Sequence, residues 1–484
     1  MLLDEILSQM RASPDRPAYS VGGLRYTYGE LEQFTGNLCR LIREANPDRR
    51  PVAVFGHKDA AMKAAFLACS FAGAAYAPID DHTPPARVRQ ILTDLRPGLI
   101  LGDAYLDGVR TVPKAELEAV MRREPPDAIG GIALRPDDDD YIIFTSGSTG
   151  SPKGVRVRYR NLDSCVQWLK SVCGEGRNVI LNQANFSFDL SVADLYLSLA
   201  TGSEHVALER EVQADFPRLF AALAASRAEM LVATPSFADY LLLDRGFNRA
   251  LMPDLKLILF CGEKLRSRTV SRLFERFDGL RIVNSYGPTE CTFAVTAWDV
   301  RPEDCDREIP AGTAKPGVWL HILDEADNEL PDGAEGEILI TGNSVAAGYL
   351  GGGTGFCTWQ GREAYRTGDL GRLEGGVLYV SGRKDRQIKY KGYRVEPGEI
   401  EAALLALPGV SEARVLPKKA ADGTVLRLLG FVTMRPGEAR ELPELREALR
   451  VRLPAYMCPA VRVVARFPLT ENGKCDEKRL MEME

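Results

Sequence analysis

Tyr141-Ile142-Ile143-Phe144-Thr145-Ser146-Gly147-Ser148-Thr149-Gly150-Ser151-Pro152-Lys153-Gly154-Val155 is the stretch around which the chain is organised. The apolar run Tyr141 to Phe144 is short and β-prone, the pattern of a parallel strand covered on both faces. It opens into a loop of hydroxyl and glycine residues. Glycines let backbone N–H groups turn toward an anion, hydroxyls add donors, and Lys153 adds a mobile positive charge. The stretch therefore predicts a phosphate-binding loop at the end of a buried strand. It is not a Walker A loop, because Pro152 precedes Lys153 and Gly154 follows it where Gly-Lys-Ser/Thr would be needed. A flexible Ser/Gly linker shares the composition, but it would not be welded to a buried strand or end in Pro-Lys-Gly-Val.

Upstream, Thr27 and Glu30 form a capping-box pattern ahead of a helical segment through Leu41 and Ile42. Strand (Val52 to Phe55), helix (Ala60 to Phe71) and strand (Ala75 to Ile79) then follow in the rhythm of a parallel sheet. The acidic run Asp137 to Asp140 is expected to solvate the entry to the loop strand. Downstream, helices and strands alternate from Leu162 to Ser285. Short β-type segments between 312 and 384 read as a small barrel-like subdomain, and the last hundred residues alternate as α+β. The expected class is α/β, with a large N-terminal domain of two sheet layers plus that subdomain, and a small C-terminal domain.

The 484 residues are too many for one core. A hydrophobic content of 45% and a charged content of 26% are those of a soluble globular protein. The net charge of −6 argues against a nucleic-acid partner. No run of eighteen apolar residues and no signal-peptide pattern is present, so no membrane association is expected. The ten cysteines are scattered and show no zinc spacing with the four histidines. They read as free thiols in a reducing cytoplasm.

Three further stretches carry chemistry. Phe186-Ser187-Phe188-Asp189-Leu190-Ser191 places a carboxylate after an aromatic residue, at the start of a helix. It suits either an ammonium entering an apolar pocket or a helix N-cap. Tyr286-Gly287-Pro288-Thr289-Glu290 offers an aromatic face for a purine and a carboxylate for a hard cation. Tyr365-Arg366-Thr367-Gly368-Asp369 offers two oxygens to a pair of hydroxyls.

Together with Gly382-Arg383-Lys384-Asp385 and Asn472-Gly473-Lys474, these stretches resemble, in order and spacing, the motifs of the adenylate-forming (ANL) enzymes. That superfamily comprises acyl-CoA synthetases, luciferases and the adenylation domains of nonribosomal peptide synthesis. The resemblance covers nearly the whole chain and implies ATP and Mg²⁺ as cofactors. By that resemblance Thr145, Ser146, Gly147, Ser148, Thr149, Gly150 and Lys153 cradle the phosphates. Tyr286 stacks on adenine, Asp369 and Arg383 complete the nucleotide site, and Glu290 with Thr145 holds Mg²⁺. Lys474 bridges the substrate carboxylate and the α-phosphate. Asp385 is the hinge between an N-terminal core, 1–384, and a mobile C-terminal domain, 385–484.

In the amino-acid-activating members the aspartate at Asp189 pairs with the α-ammonium. Leu190, Ala193, Val232, Leu259, Cys261, Ser285, Phe293 and Ala294 then line the substrate pocket. The resemblance is closest to the stand-alone D-alanine–carrier protein ligases. It implies activation of a small α-amino acid, D-alanine first, and transfer to the phosphopantetheine thiol of a separate carrier protein. Ala193, smaller than usual there, and Phe293, larger than usual, leave another small or medium uncharged amino acid of a nonribosomal peptide-type pathway as the alternative. An acyl-CoA synthetase is the more distant one.

Overall fold

The computed structural model describes residues 1–124, 126–147, 151–420, 423–435, 442–469 and 475–483. The chain forms two compact units. One is Met1–Asp81 with Asp94–Ile143 and Gly154–Lys384; the other is His82–Thr93 with Phe144–Lys153 and Asp385–Glu484.

The first unit contains a long sheet whose centre is parallel. Strands Met230–Ala233, Leu257–Phe260 and Arg281–Tyr286 pair in register, with Val232 beside Leu259 and Leu259 beside Val283. Nearly every side chain of these strands is buried, which explains why they read as unbroken apolar runs and not as alternating ones. At Thr296–Val300 the sheet turns antiparallel, with Ser285 opposite Ala297. Strands Gly312–Ala314, Val377–Arg383, Arg362–Glu374, Gly336–Gly342 and Val318–Leu323 continue it. The segments read as barrel-like thus share a core with the large domain: Ile322, Ile338, Ile340 and Leu378 pack in the same cluster as Val54, Phe66 and Tyr196.

A second sheet orders Gly348–Tyr349, Lys153–Arg158, Asp139–Thr145, Tyr76–Asp80, Val52–Gly56, Leu99–Leu101 and Arg110–Val112 side by side. Thr27 caps helix Tyr28–Ala45 as its spacing predicts: Glu30 N donates to Thr27 Oγ1 (3.2 Å) and Thr27 N donates to Glu30 Oε2 (2.8 Å). Helix Ala60–Ala72 is buried along its whole length, starts at Asp59 and stops at Gly73, whose φ of 80° suits glycine.

The acidic run departs from expectation. Asp137 and Asp138 lie at the surface side, but Asp139 pairs with Arg156 (2.7 Å) and Asp140 is fully buried. Ser70 Oγ donates to Asp140 Oδ1 (2.7 Å) and the Tyr196 hydroxyl to Oδ2 (3.4 Å), with Tyr76 bonded behind Tyr196 (2.9 Å). Asp140 is the first of four consecutive buried residues of a strand covered on both faces, so its place in the strand, not the charge of the run, takes it inside. Burial pushes the Asp140 carboxyl up to about 7, against the pull of the Ser70 and Tyr196 hydroxyls. An unfolded aspartate titrates near 4. The folded chain therefore holds a proton that the unfolded chain has lost between those values. Stability falls as pH rises through that window, by at most about 1.4 kcal/mol per pH unit. Asp140→Asn is expected to remove this share of the slope. Thermal melts of both proteins from pH 5 to 8 check it, and parallel slopes would refute it.

The second unit has its own α+β core. Val410–Lys419 pairs antiparallel with Val425–Met434, which pairs parallel with Ala460–Val463. Helices Pro397–Leu405 and Leu442–Arg450 cover the sheet, burying Ile400, Leu404, Leu445 and Leu449 against Val415, Val432 and Val461. Among the described residues no helix is long and apolar enough to cross a membrane.

Candidate active site

Helix Leu190–Thr201 sets the floor of the site. Asp189 stands at its N-cap in a helical conformation (φ −63°, ψ −23°), and its side chain makes no capping hydrogen bond. The cap reading of Asp189 therefore has no side-chain bond to rest on. The first turn is held instead by Ser191 Oγ, which donates to Phe188 O (2.6 Å). Below it, Leu190, Ala193, Val232, Leu259, Cys261, Phe293 and Ala294 pack in a single apolar cluster with Cys165, Trp168 and Met230. Ser285 is buried beside them and donates to Phe260 O (2.8 Å). The pocket residues expected from the sequence are thus brought together by adjacent parallel strands and one helix.

The loop after Tyr286 shapes that cluster. Thr292 and Phe293 both take positive φ, 59° and 70°, a conformation that costs a non-glycine residue about 1–3 kcal/mol. Thr292 Oγ1 donates to Ser344 O (2.9 Å), holding the bend. At Gly287 an added Cβ would lie 2.6 Å from the Ala294 Cα, so only glycine admits this return of the chain. Phe293 is 1% exposed, and Cys261 Sγ lies 3.9 Å from its carbonyl oxygen.

The same loop leads to the residues expected to meet the nucleotide. Asp369 lies opposite Arg383 in the antiparallel register. Its Oδ1 accepts from Arg383 Nη1 (2.7 Å) and its Oδ2 from the Tyr286 hydroxyl (2.7 Å). Thr367 Oγ1 accepts from Asp369 N (3.0 Å). Burial and the nearby Asp369 charge push the Tyr286 hydroxyl well above its ordinary range, so it stays a donor. Glu290, on the single turn Thr289–Cys291, is fully buried. The Tyr349 hydroxyl donates to its Oε1 (2.5 Å) and lies 3.1 Å from the Tyr365 hydroxyl. A carboxylate held in this way suits Mg²⁺, which takes one or two carboxylates and completes its shell with water and phosphate.

In the second unit, Thr145 Oγ1 lies 3.5 Å from Lys153 O, closing the base of the loop. Ser146 Oγ donates to Arg394 O (2.8 Å), and Gly147 N lies 3.4 Å from Glu399 Oε2. Arg87 pairs with the same Glu399 carboxylate. Ser148, Thr149, Gly150 and Lys474 lie outside the described residues. The Asp385 carboxylate accepts from Gln387 N (3.1 Å).

Several residues escape sequence reading. Trp168 and Cys165 reach the pocket cluster from helix Tyr159–Cys173, where they read as one side of an ordinary amphipathic helix. Asp194, next to Ala193, points away into a buried polar group. Asn182 Nδ2 donates to both its oxygens (3.0 Å each), and His205 Nε2 lies 3.1 Å away. His205 Nδ1 is 3.3 Å from Lys63 Nζ, and Lys58 donates to Gln183 O (2.8 Å) and Leu208 O (2.9 Å). Burial lowers both lysines and raises Asp194. His57, Asp80 and Asp81 bring one ligand atom each to within 4.8 Å of one another. Arg210 already supplies the cation there, 2.5 Å from Asp80 and 3.0 Å from His57 Nδ1.

Two family descriptions match the chain: AMP-binding enzyme over residues 7–350, and AMP-binding enzyme C-terminal domain over residues 399–474. A D-alanine–D-alanyl carrier protein ligase of Bacillus thuringiensis (strain Al Hakam) is 38% identical over 505 residues, covering 99% of each chain. One from Streptococcus equi subsp. equi is 37% identical over 494 residues, covering 97% of this chain and 96% of that one. The solved structure of holo-PA1221, an NRPS protein containing adenylation and PCP domains bound to a vinylsulfonamide inhibitor, superposes with a TM-score of 0.83. It is 25% identical, and the match covers 100% of this chain and 84% of that chain. A buried aspartate gripped by Tyr286 and Arg383, and a strained loop joining it to an apolar pocket, are thus features of a chain that belongs to the AMP-binding enzymes.

Proposed function

We propose that the protein activates D-alanine with ATP and passes it to the phosphopantetheine thiol of a separate carrier protein. The observation that carries the reading is the pocket. Asp189 stands at the N-cap of the helix whose Leu190 and Ala193 enter a buried apolar cluster that also includes Cys261 and Phe293. One carboxylate and no second charge among these residues match a small amino acid with an uncharged side chain. The relatives at 37% and 38% identity, which act on D-alanine by their names, support that choice.

In the first step a carboxylate oxygen of the amino acid attacks the α-phosphorus of ATP, and pyrophosphate leaves. No protein nucleophile is needed; binding aligns the two reactants and fixed charges offset the phosphate charge. Asp189 holds the ammonium, while Asp369 and Arg383 fix the ribose end. Mg²⁺, when bound through Glu290, supplies charge neutralisation at the phosphates. Lys474 stabilises the developing charge where carboxylate and α-phosphate meet. In the second step the carrier thiolate attacks the acyl carbon and AMP leaves, after the C-terminal domain turns about Asp385. Ala193 and Phe293 favour a second reading, in which the pocket is reshaped for another small uncharged amino acid.

Incubation with ATP, Mg²⁺, D-alanine and a phosphopantetheinylated D-alanyl carrier protein tests the proposal by intact mass. The carrier is expected to gain one alanyl group. A carrier that stays unmodified with D-alanine but is loaded when another amino acid replaces it would transfer the assignment to that amino acid.

A further inference from the structure

The segment Ser344–Leu350 touches two parts of the nucleotide machinery at once. Ala346 N donates to Glu290 O (2.9 Å), and Thr292 Oγ1 donates to Ser344 O (2.9 Å). Further along, Ala347 N donates to Arg156 O (2.8 Å) and Leu350 N to Gly154 O (2.8 Å). The short strand Gly348–Tyr349 lies antiparallel to the strand that leaves the phosphate loop, with Tyr349 opposite Val155. From that fixed backbone the Tyr349 hydroxyl reaches back to Glu290 Oε1 (2.5 Å). Its ring is 7% exposed and sits edge-on to Phe356, with centroids 5.0 Å apart. Phe356 also contacts Tyr365 (4.9 Å), whose hydroxyl is 3.1 Å from that of Tyr349.

We propose that Tyr349 is a positioning residue that fixes the Glu290 carboxylate for its metal and couples that carboxylate to the exit strand of the phosphate loop. The inference rests on the reading of Glu290 as the Mg²⁺ ligand. A glutamate has several rotatable bonds, and a turn of three residues does little to restrain them. The hydroxyl removes that freedom before metal binds, and the Phe356–Tyr365 pair removes the freedom of Tyr349 itself. Hydrogen bonds of this kind orient metal ligands, and their loss weakens metal affinity about 10- to 100-fold. The backbone bonds from Ala346 and Ala347 make the coupling mechanical: a shift of the loop strand moves the residue that aims Glu290.

The test is a Mn²⁺ titration of the full-length protein followed by electron paramagnetic resonance, with an α,β-methylene ATP analogue present. Parent, Tyr349→Phe, Glu290→Gln and the double variant are compared. Tyr349→Phe is expected to weaken Mn²⁺ binding about 10-fold. Its KM for amino acid in pyrophosphate exchange should stay within about twofold of the parent, while the Mg²⁺ concentration for half-maximal rate rises. The double variant should be no weaker than Glu290→Gln alone, since both act on one ligand. If Tyr349→Phe does not fold, Tyr365→Phe is expected to show a smaller rise in the same direction. Weakened binding in Glu290→Gln with unchanged binding in both tyrosine variants would overturn the role of Tyr349 alone. Unchanged binding in Glu290→Gln would overturn the metal reading and the proposal together.

Discussion

Asp189→Ala is expected to lower amino-acid-dependent ATP–pyrophosphate exchange about 10²- to 10³-fold. Removing one partner of a desolvated ion pair costs about 3–5 kcal/mol, because the other charge stays buried without compensation, and each 1.4 kcal/mol is a factor of ten. The substrate ammonium would be in that position, beside Leu190 and Ala193, which are buried in the apolar cluster. The loss should appear in KM for the amino acid, with KM for ATP nearly unchanged, since the proposed nucleotide contacts lie on other elements. Asp189→Asn keeps the shape and loses only the charge, so most of the loss should persist. The helix itself should tolerate either change, because the Asp189 side chain makes no capping bond to it. Steady-state exchange with varied amino acid, together with thermal melts of each variant, checks both statements. A variant that folds and keeps its amino-acid KM would refute the assignment of Asp189.

Asp369→Ala should act on the other substrate. Its carboxylate accepts from Arg383 and from the Tyr286 hydroxyl, each at 2.7 Å, inside a site that is 2% exposed at Asp369. Removal leaves a half-buried guanidinium and a buried hydroxyl short of this acceptor, and the ribose of ATP would lose its own. Hydrogen bonds to charged groups contribute about 1.5–3 kcal/mol each. A rise of about 100-fold in KM for ATP is therefore expected, with KM for the amino acid changed little. The measurement is exchange at saturating amino acid and varied ATP. An ATP KM within about threefold of the parent would show that Asp369 serves only to hold Tyr286 and Arg383.

Residues proposed to meet a ligand through charge or a special backbone are marked in the sequence. Asp189, Tyr286, Glu290 and Asp369 stand in short, unusual combinations that a structural turn alone would not require. The parallel core was legible too, since strands buried on both faces read as continuous apolar runs. Residues that act through another residue were not. Tyr349 follows a glycine and carries no local signal, and only tertiary pairing with the strand after the phosphate loop brings its hydroxyl to Glu290. Trp168 and Cys165 carry the signal of any core-facing helix position. The burial of Asp140 is not legible because a run of charges suggests solvent, whereas the strand is covered on both faces from Asp140 onward and Ser70 and Tyr196 supply donors inside. Likewise, nothing local marks Lys58, Lys63 and His205 as partners of Asp194; their meeting depends on how strands Val179–Asn182 and Glu204–Ala207 pair. The antiparallel strands after Thr296 read as separate because their Gly and Pro punctuation hides a continuous ladder onto the large sheet.

The most direct measurement is ATP–pyrophosphate exchange by the purified protein across D-alanine, L-alanine, glycine, D-serine, L-serine, L-cysteine, L-proline, L-valine and benzoate. The account predicts exchange that depends on an added amino acid and is fastest with D-alanine. Exchange with benzoate and with none of the amino acids would contradict it, because Asp189 would then meet no ammonium.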